Sequence, residues 1–173
     1  MTAIRIAVLT ISDAGAKGER ADTSGDAIVE WASAKGYAIA DRKLVPDDTV
    51  QIVGVLTSWA DANIVDLILT TGGTGLSARD VTPEATRAVL DRDAPGIAER
   101  LRALYLTSFP RAALSRGVSG TRGRTLIVNL PGSPNAVRDS LQALDPIIDH
   151  AISILRGERT DHAPRSTHDA QRA

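Results

Sequence analysis

The sequence contains no cysteine, which excludes disulfides, thiolate metal sites and a thiol nucleophile. Aromatic residues make up only 3% of it, and none stands in a basic run, so a base-stacking platform for single-stranded nucleic acid is not expected. The formal net charge of −1 supplies no basic field to gather nucleic acid in general. No apolar run approaches the ~18 residues of a membrane helix. The N-terminus runs straight into a strand pattern without signal-peptide features, and the expectation is a cytoplasmic protein. Lysine occurs only at 17, 35 and 43, none after a glycine loop of P-loop spacing. The three histidines, at 150, 162 and 168, fall in the last helix pattern and the tail, so a Ser-His-Asp site is not expected.

What is present suits one α/β domain. The chain has 173 residues, 43% of them hydrophobic, and a domain near this size buries roughly 70% of its unfolded surface. The runs 4–11, 64–71 and 125–130 are nearly continuous, β-branched and apolar, as in strands buried on both faces. A strand pattern at 37–45 is more alternating and nearer an edge, and Val118–Gly120 suggests a short extra strand. Helical spacing appears at Gly25–Lys35, from Asp47-Asp48 through Ala60, after Thr82-Pro83, and through Ile97, Leu101 and Tyr105. It returns from Ser133-Pro134 to Leu155. Thr82 and Ser133 are the expected helix caps, each followed by proline at the first helical position. The expected architecture is a doubly wound, mostly parallel sheet with helices on both faces, in a single domain over residues 1–156. Residues 157–173 read as a polar, disordered tail.

Right-handed crossovers place every strand-to-helix loop of such a sheet on one rim. Ser12-Asp13, Asp47-Asp48, Gly72–Asp80 and Pro131–Ser133 therefore converge. Gly72, Gly73 and Gly75 allow a ligand close to the backbone, and helix N-termini behind the loops favour an anion. Carboxylates turned toward a phosphate would repel it without a cation between them, and Mg²⁺ takes one or two carboxylates plus phosphate oxygens. A phosphorylated ligand or nucleotide with Mg²⁺ is the combined expectation. Simpler readings compete. The glycines can form only a tight turn, Arg79 and Asp80 can pair with each other on the surface, and Asp47 or Asp48 can cap a helix. Asp13 can close an Asx-turn. Residues 73–78 formally match a dinucleotide fingerprint, but that motif should open a helix directly in the first strand-turn-helix unit.

The segments "SDAGAKGERADTSG" (12–25), "LVPDD" (44–48), "TTGGTGLSARDVTPEA" (70–85) and "NLPGSP" (129–134) resemble those of molybdopterin adenylyltransferases of the MogA/MoaB type, related to the gephyrin G domain. The likeness runs from about Ile4 to Leu155. It implies molybdenum cofactor biosynthesis, with Mg²⁺ and ATP used to adenylylate molybdopterin and release pyrophosphate. It also implies a homotrimer and a downstream molybdenum-insertion partner. Matched to the family, Asp47 and Asp80 are the catalytic and metal positions. Gly72, Gly73, Thr74, Gly75, Ser12 and Asp13 form the nucleotide and phosphate site, with Asp22 and Ser24 nearby. Pro131, Gly132 and Ser133 hold pterin or nucleotide. The family also contains non-catalytic molybdopterin-binding, assembly and scaffold paralogues, and these remain the alternative.

Overall fold

The computed structural model of the chain describes residues 2–158. Its strands are β1 (Arg5–Ile11), β2 (Ala38–Val45), β3 (Leu67–Thr71), β4 (Arg92–Asp93), β5 (Ser119–Arg122) and β6 (Thr125–Leu130). Its helices are α1 (Asp13–Ala16), α2 (Thr23–Ala34), α3 (Thr49–Asp61), α4 (Thr82–Arg87), α5 (Pro95–Tyr105) and α6 (Pro134–Arg156), with a 3-10 turn at Pro110–Leu114. The six strands form one sheet in the order β2-β1-β3-β6-β5-β4. The pairs β1–β2, β1–β3 and β3–β6 are parallel, while β4–β5 and β5–β6 are antiparallel.

Period-two alternation divides the central strands between two cores. Ile6, Val8, Leu67, Leu69, Leu126, Val128 and Leu130 face one core, closed by Ile28 of α2, Leu101 of α5 and Leu141, Leu144, Ile148 and Ile152 of α6. Ala7, Leu9, Ile11, Ile68 and Ile127 face the other, covered by Ile52, Leu56 and Trp59 of α3 and Ala85 of α4. The expected α/β sheet with helices on both faces is therefore the fold, and β2 lies at an edge. Among the described residues no helix is long and apolar enough to cross a membrane.

Some expected boundaries move. The third strand begins at Leu67 rather than residue 64, because Asp66 is turned into an ion cluster and β1 pairs only from Ile6↔Leu67. Thr82 does not cap α4. The cap position is Val81, without a side-chain bond, and the Thr82 hydroxyl donates to the Gly72 carbonyl at 2.9 Å. The extra strand extends over Ser119–Arg122 and pairs with the unforeseen β4. The apolar faces from Val137 to Leu155 lie on one 23-residue helix. Of the expected tail, only Gly157 and Glu158 lie within the described residues, with Gly157 closing α6 in a left-handed conformation.

At the edge of the sheet opposite the rim, Asp66 joins the start of β1 to the end of α6. Its buried carboxylate accepts from Arg5 Nε and Nη2 at 3.1 and 2.8 Å and from Arg156 Nη2 at 2.7 Å. The two guanidiniums outweigh burial and hold its pKa well below the usual carboxylate range. Such a group stabilises the fold above the ordinary carboxylate pKa, and the contribution is lost as pH falls through its depressed value. Asp66→Asn is expected to cost about 2 kcal/mol at neutral pH, since it removes the charge from a set of hydrogen bonds to two arginines. The deficit should shrink only in acid below the ordinary carboxylate range, as read from urea unfolding midpoints across pH.

Candidate active site

The rim at the ends of β1, β2, β3 and β6 contains a cavity of about 210 Å³, lined by Ser12, Asp47, Gly72, Gly73, Asp80 and Gly132 among others. Its floor is backbone. Gly72 has φ +98°, and a Cβ there would stand 2.2 Å from the Ile11 carbonyl oxygen. Gly73 has φ +63°, and a Cβ would meet Thr82 Oγ1 at 2.3 Å and Asp47 Oδ1 at 3.0 Å. A side chain at either position would strain the turn and fill the floor. The N–H groups of Gly72, Gly73 and Gly75 find no protein acceptor among the described residues. They remain available to an anionic ligand.

The two aspartates of "PDD" divide their tasks. Asp48 caps α3, accepting from Gln51 N–H at 2.9 Å. Asp47 turns into the cavity and is locked to the β1 loop by a reciprocal pair: Asp13 N–H donates to Asp47 Oδ2 at 2.9 Å, and Asp47 N–H donates to Asp13 Oδ1 at 3.0 Å. Arg79 pairs with Asp13, not with its neighbour Asp80, through two bonds of 2.9 and 2.8 Å. The Arg79 guanidinium holds the Asp13 pKa below its ordinary value. The Asp47 pKa is raised, mainly by burial, with the charges of Asp13 and Asp80 adding to the rise. Asp80 accepts from Ser77 N–H through Oδ2 at 2.8 Å. Oδ1 of Asp47 and Oδ1 of Asp80 have no protein hydrogen bond among the described residues, and neither carboxylate has a salt-bridge partner there.

This donor set fits a hard cation shared with phosphate oxygens. Two uncompensated carboxylates face one cavity, and Mg²⁺ usually takes one or two protein carboxylates, with phosphates and waters completing its shell. No cluster of three or more ionisable ligands capable of holding a metal alone exists among the described residues.

The other sequence candidates distribute unevenly. Asp13 lies behind Asp47 as its latch. Thr74 is buried, and its carbonyl accepts from Arg116 N–H. Gly75 packs against Asp80, where a Cβ would meet Oδ2 at 3.0 Å. Gly132 meets the cavity, but Pro131 faces a second one of about 180 Å³ with Tyr105, Phe109 and Asp139. Ser133 is occupied in capping α6, accepting from Ala136 N–H. Asp22 and Ser24 do line the first cavity. Asp22 is fixed by Thr10 Oγ1, Gly25 N–H and Arg42. Thr10, Arg20 and Thr71 in the lining, and Thr82 beneath it, were missed. For Thr10 and Thr71 the sequence signal is a threonine at a strand end, in "LTI" and "LTT", since a hydroxyl in an apolar strand needs a partner.

A family model described as a probable molybdopterin binding domain matches residues 7–150. A molybdopterin adenylyltransferase of Helicobacter pylori strain J99 is 39% identical over 161 residues, covering 91% of this chain and 90% of its own. Among solved structures, the molybdopterin biosynthesis enzyme MoaB from Thermus thermophilus superposes with TM-score 0.85 at 53% identity, covering 89% of this chain and 97% of its own. The molybdopterin biosynthesis Mog protein from Mycobacterium ulcerans follows at TM-score 0.84 and 42% identity, covering 88% and 99%.

Asp47 sets a stability signature for this site. A carboxyl whose folded pKa is raised opposes folding when ionised, and that cost is relieved as pH falls through the raised value. Asp47→Asn keeps an oxygen for Asp13 N–H. It should therefore melt no lower than the parent, and slightly higher, at neutral pH, with the difference shrinking as pH falls through the raised value and vanishing only below the ordinary carboxylate range. Thermal unfolding of both proteins across pH checks this.

Proposed function

The chain belongs to the molybdopterin-binding domain family, and on that premise we propose that it adenylylates molybdopterin with ATP and Mg²⁺, releasing pyrophosphate. The observation that carries this reading is the placement of Asp47 and Asp80, delivered by different strands, on one cavity floored by Gly72 and Gly73.

In the proposed reaction a phosphate oxygen of molybdopterin attacks the α-phosphorus of ATP. A new P–O bond joins the two, and the bond to the departing pyrophosphate breaks. Two anions must meet, so the barrier falls through positioning and charge compensation rather than through a protein nucleophile. The N–H groups of Gly72, Gly73 and Gly75 supply fixed donors for phosphate oxygens. Asp47 and Asp80 are the residues that would hold Mg²⁺, which would supply positive charge to screen the phosphates. Arg79, engaged by Asp13, keeps the Asp13 charge from adding fully to the repulsion. The Pro131–Gly132 turn separates the polar cavity from the second one, and Tyr105 and Phe109 offer the pterin end of the substrate an aromatic wall there. A homotrimer, a cytoplasmic location and a downstream molybdenum-insertion partner complete the proposal, the first open to light scattering.

Two measurements test it. Asp80→Asn should melt close to the parent and release no pyrophosphate from ATP and molybdopterin; activity near the parental level would remove Asp80 from the chemistry. ATP affinity by calorimetry should fall when divalent metal is chelated, and metal-independent affinity would count against the shared cation.

A further inference from the structure

The loop from Gly72 to Val81 has no regular secondary structure, yet it carries both the anion-facing glycines and Asp80. Leu76 to Arg79 are exposed, so apolar packing does not fix the loop. Arg79 ties its tip to Asp13 and Thr82 holds its start, but one residue more than thirty positions away grips its carbonyls near both ends. Arg116 N–H donates to the Thr74 carbonyl at 2.9 Å, its Nε to the Gly75 carbonyl at 2.6 Å and its Nη2 to the Asp80 carbonyl at 2.5 Å. Its Nη1 pairs with Glu84 in α4. A single residue thus spans both ends of the loop and the helix after it. Arg102 fixes the Arg116 backbone in turn, donating to the Gly117 and Ser115 carbonyls at 3.0 and 3.4 Å. Arg116 does not line the Asp47–Asp80 cavity and belongs to neither apolar core.

We propose that Arg116 is a positioning residue for adenylyl transfer: its planar fork clamps the carbonyls of Gly75 and Asp80, aiming the Asp80 carboxylate and the glycine N–H groups at the same phosphates. The proposal rests on the adenylyltransferase reading for its catalytic consequence, and on geometry alone for the clamp. A lysine has charge but no fork and cannot reach three acceptors in one plane. Misplacing a reacting group by about 1 Å costs on the order of a hundredfold in rate.

The test is Arg116→Lys in the full chain, read by steady-state kinetics, ATP calorimetry with and without Mg²⁺, melting temperature and amide hydrogen exchange. The expected result is a kcat lower by about tenfold to a hundredfold with KM for molybdopterin within about threefold. Mg²⁺ should enhance ATP affinity less than in the parent. Amide exchange should quicken over residues 72–82 and nowhere else. A kcat within about twofold of the parent, or faster exchange spread over the whole domain, overturns the positioning role. If the parent itself releases no pyrophosphate, the adenylyltransferase reading fails, and the exchange pattern alone decides whether Arg116 clamps the loop. If Arg116→Lys does not fold, Glu84→Gln decides: loosening confined to residues 72–84 supports the clamp, and unchanged exchange there overturns it.

Discussion

Three parallel strands that stop level with one another govern this molecule. Thr10 pairs in register with Thr71, and Thr71 with Leu130, so β1, β3 and β6 release their loops at the same height. Ser12, Gly72 and Pro131 emerge side by side because of that register, and the loop after β2 joins them through the Ser12 N–H bond to the Val45 carbonyl at 2.9 Å. The arrangement leaves little room. Gly72 must turn against the Ile11 carbonyl, and the Thr71 hydroxyl reaches the Pro131 carbonyl at 2.7 Å. A slip of one residue in any of these strands would exchange its two faces between the cores. Burial in two separate apolar clusters therefore enforces the geometry on which the cavity depends.

Charge on the rim is sorted. Asp13 and Asp22 each lie on an arginine, Arg79 and Arg42 respectively. Asp47 and Asp80 have no such partner among the described residues, although both line the cavity. Arg79, whose charge acts on Asp47, is held by Asp13 through two bonds. The two pKa values shift in opposite directions, Asp13 lowered chiefly by its bonds to Arg79 and Asp47 raised chiefly by burial. A surface that merely needed salt bridges would have paired these groups differently, because exposed pairs such as Arg79–Asp13 contribute little stability by themselves. The unpaired carboxylates at Asp47 and Asp80 are the groups on which the proposed cation with its phosphate partners rests.

Much of the fold was legible because burial on both faces leaves continuous apolar runs, as in "IRIAVLTI" and "TLIVNL". The rim was legible because strand-helix alternation fixes its side of the sheet. What escaped was non-local. Arg79 stands beside Asp80 in sequence, yet the turn closed by Asp80 N–H on the Ser77 carbonyl lets it reach Asp13, sixty-six residues away. Thr82 carries a capping signature, but its hydroxyl is drawn to the Gly72 carbonyl by the tight return of the chain. Asn129 reads as one polar residue in a buried strand. It binds Thr70 and Thr86 hydroxyls at 2.9 Å and accepts from Val118 N–H. Neither periodicity nor local motif chemistry reports bonds between elements so far apart in the chain.

Some of these non-local bonds bear on function. Those at the cavity, together with the local Ser77–Asp80 bond, fix its elements from outside and leave their inner atoms available. Asp47 is held through Oδ2 and Asp80 through Oδ2, while Oδ1 of each stays without a protein partner among the described residues. The glycine loop is held through carbonyls, by Thr82 at Gly72 and by Arg116 at Gly75, and its glycine N–H groups stay unpaired there. Donors and acceptors are thereby separated, with the protein using one set and a ligand facing the other. Under the proposed function little reorganisation would then be needed for a triphosphate, which is the condition under which fixed dipoles and charges act most strongly on a transition state.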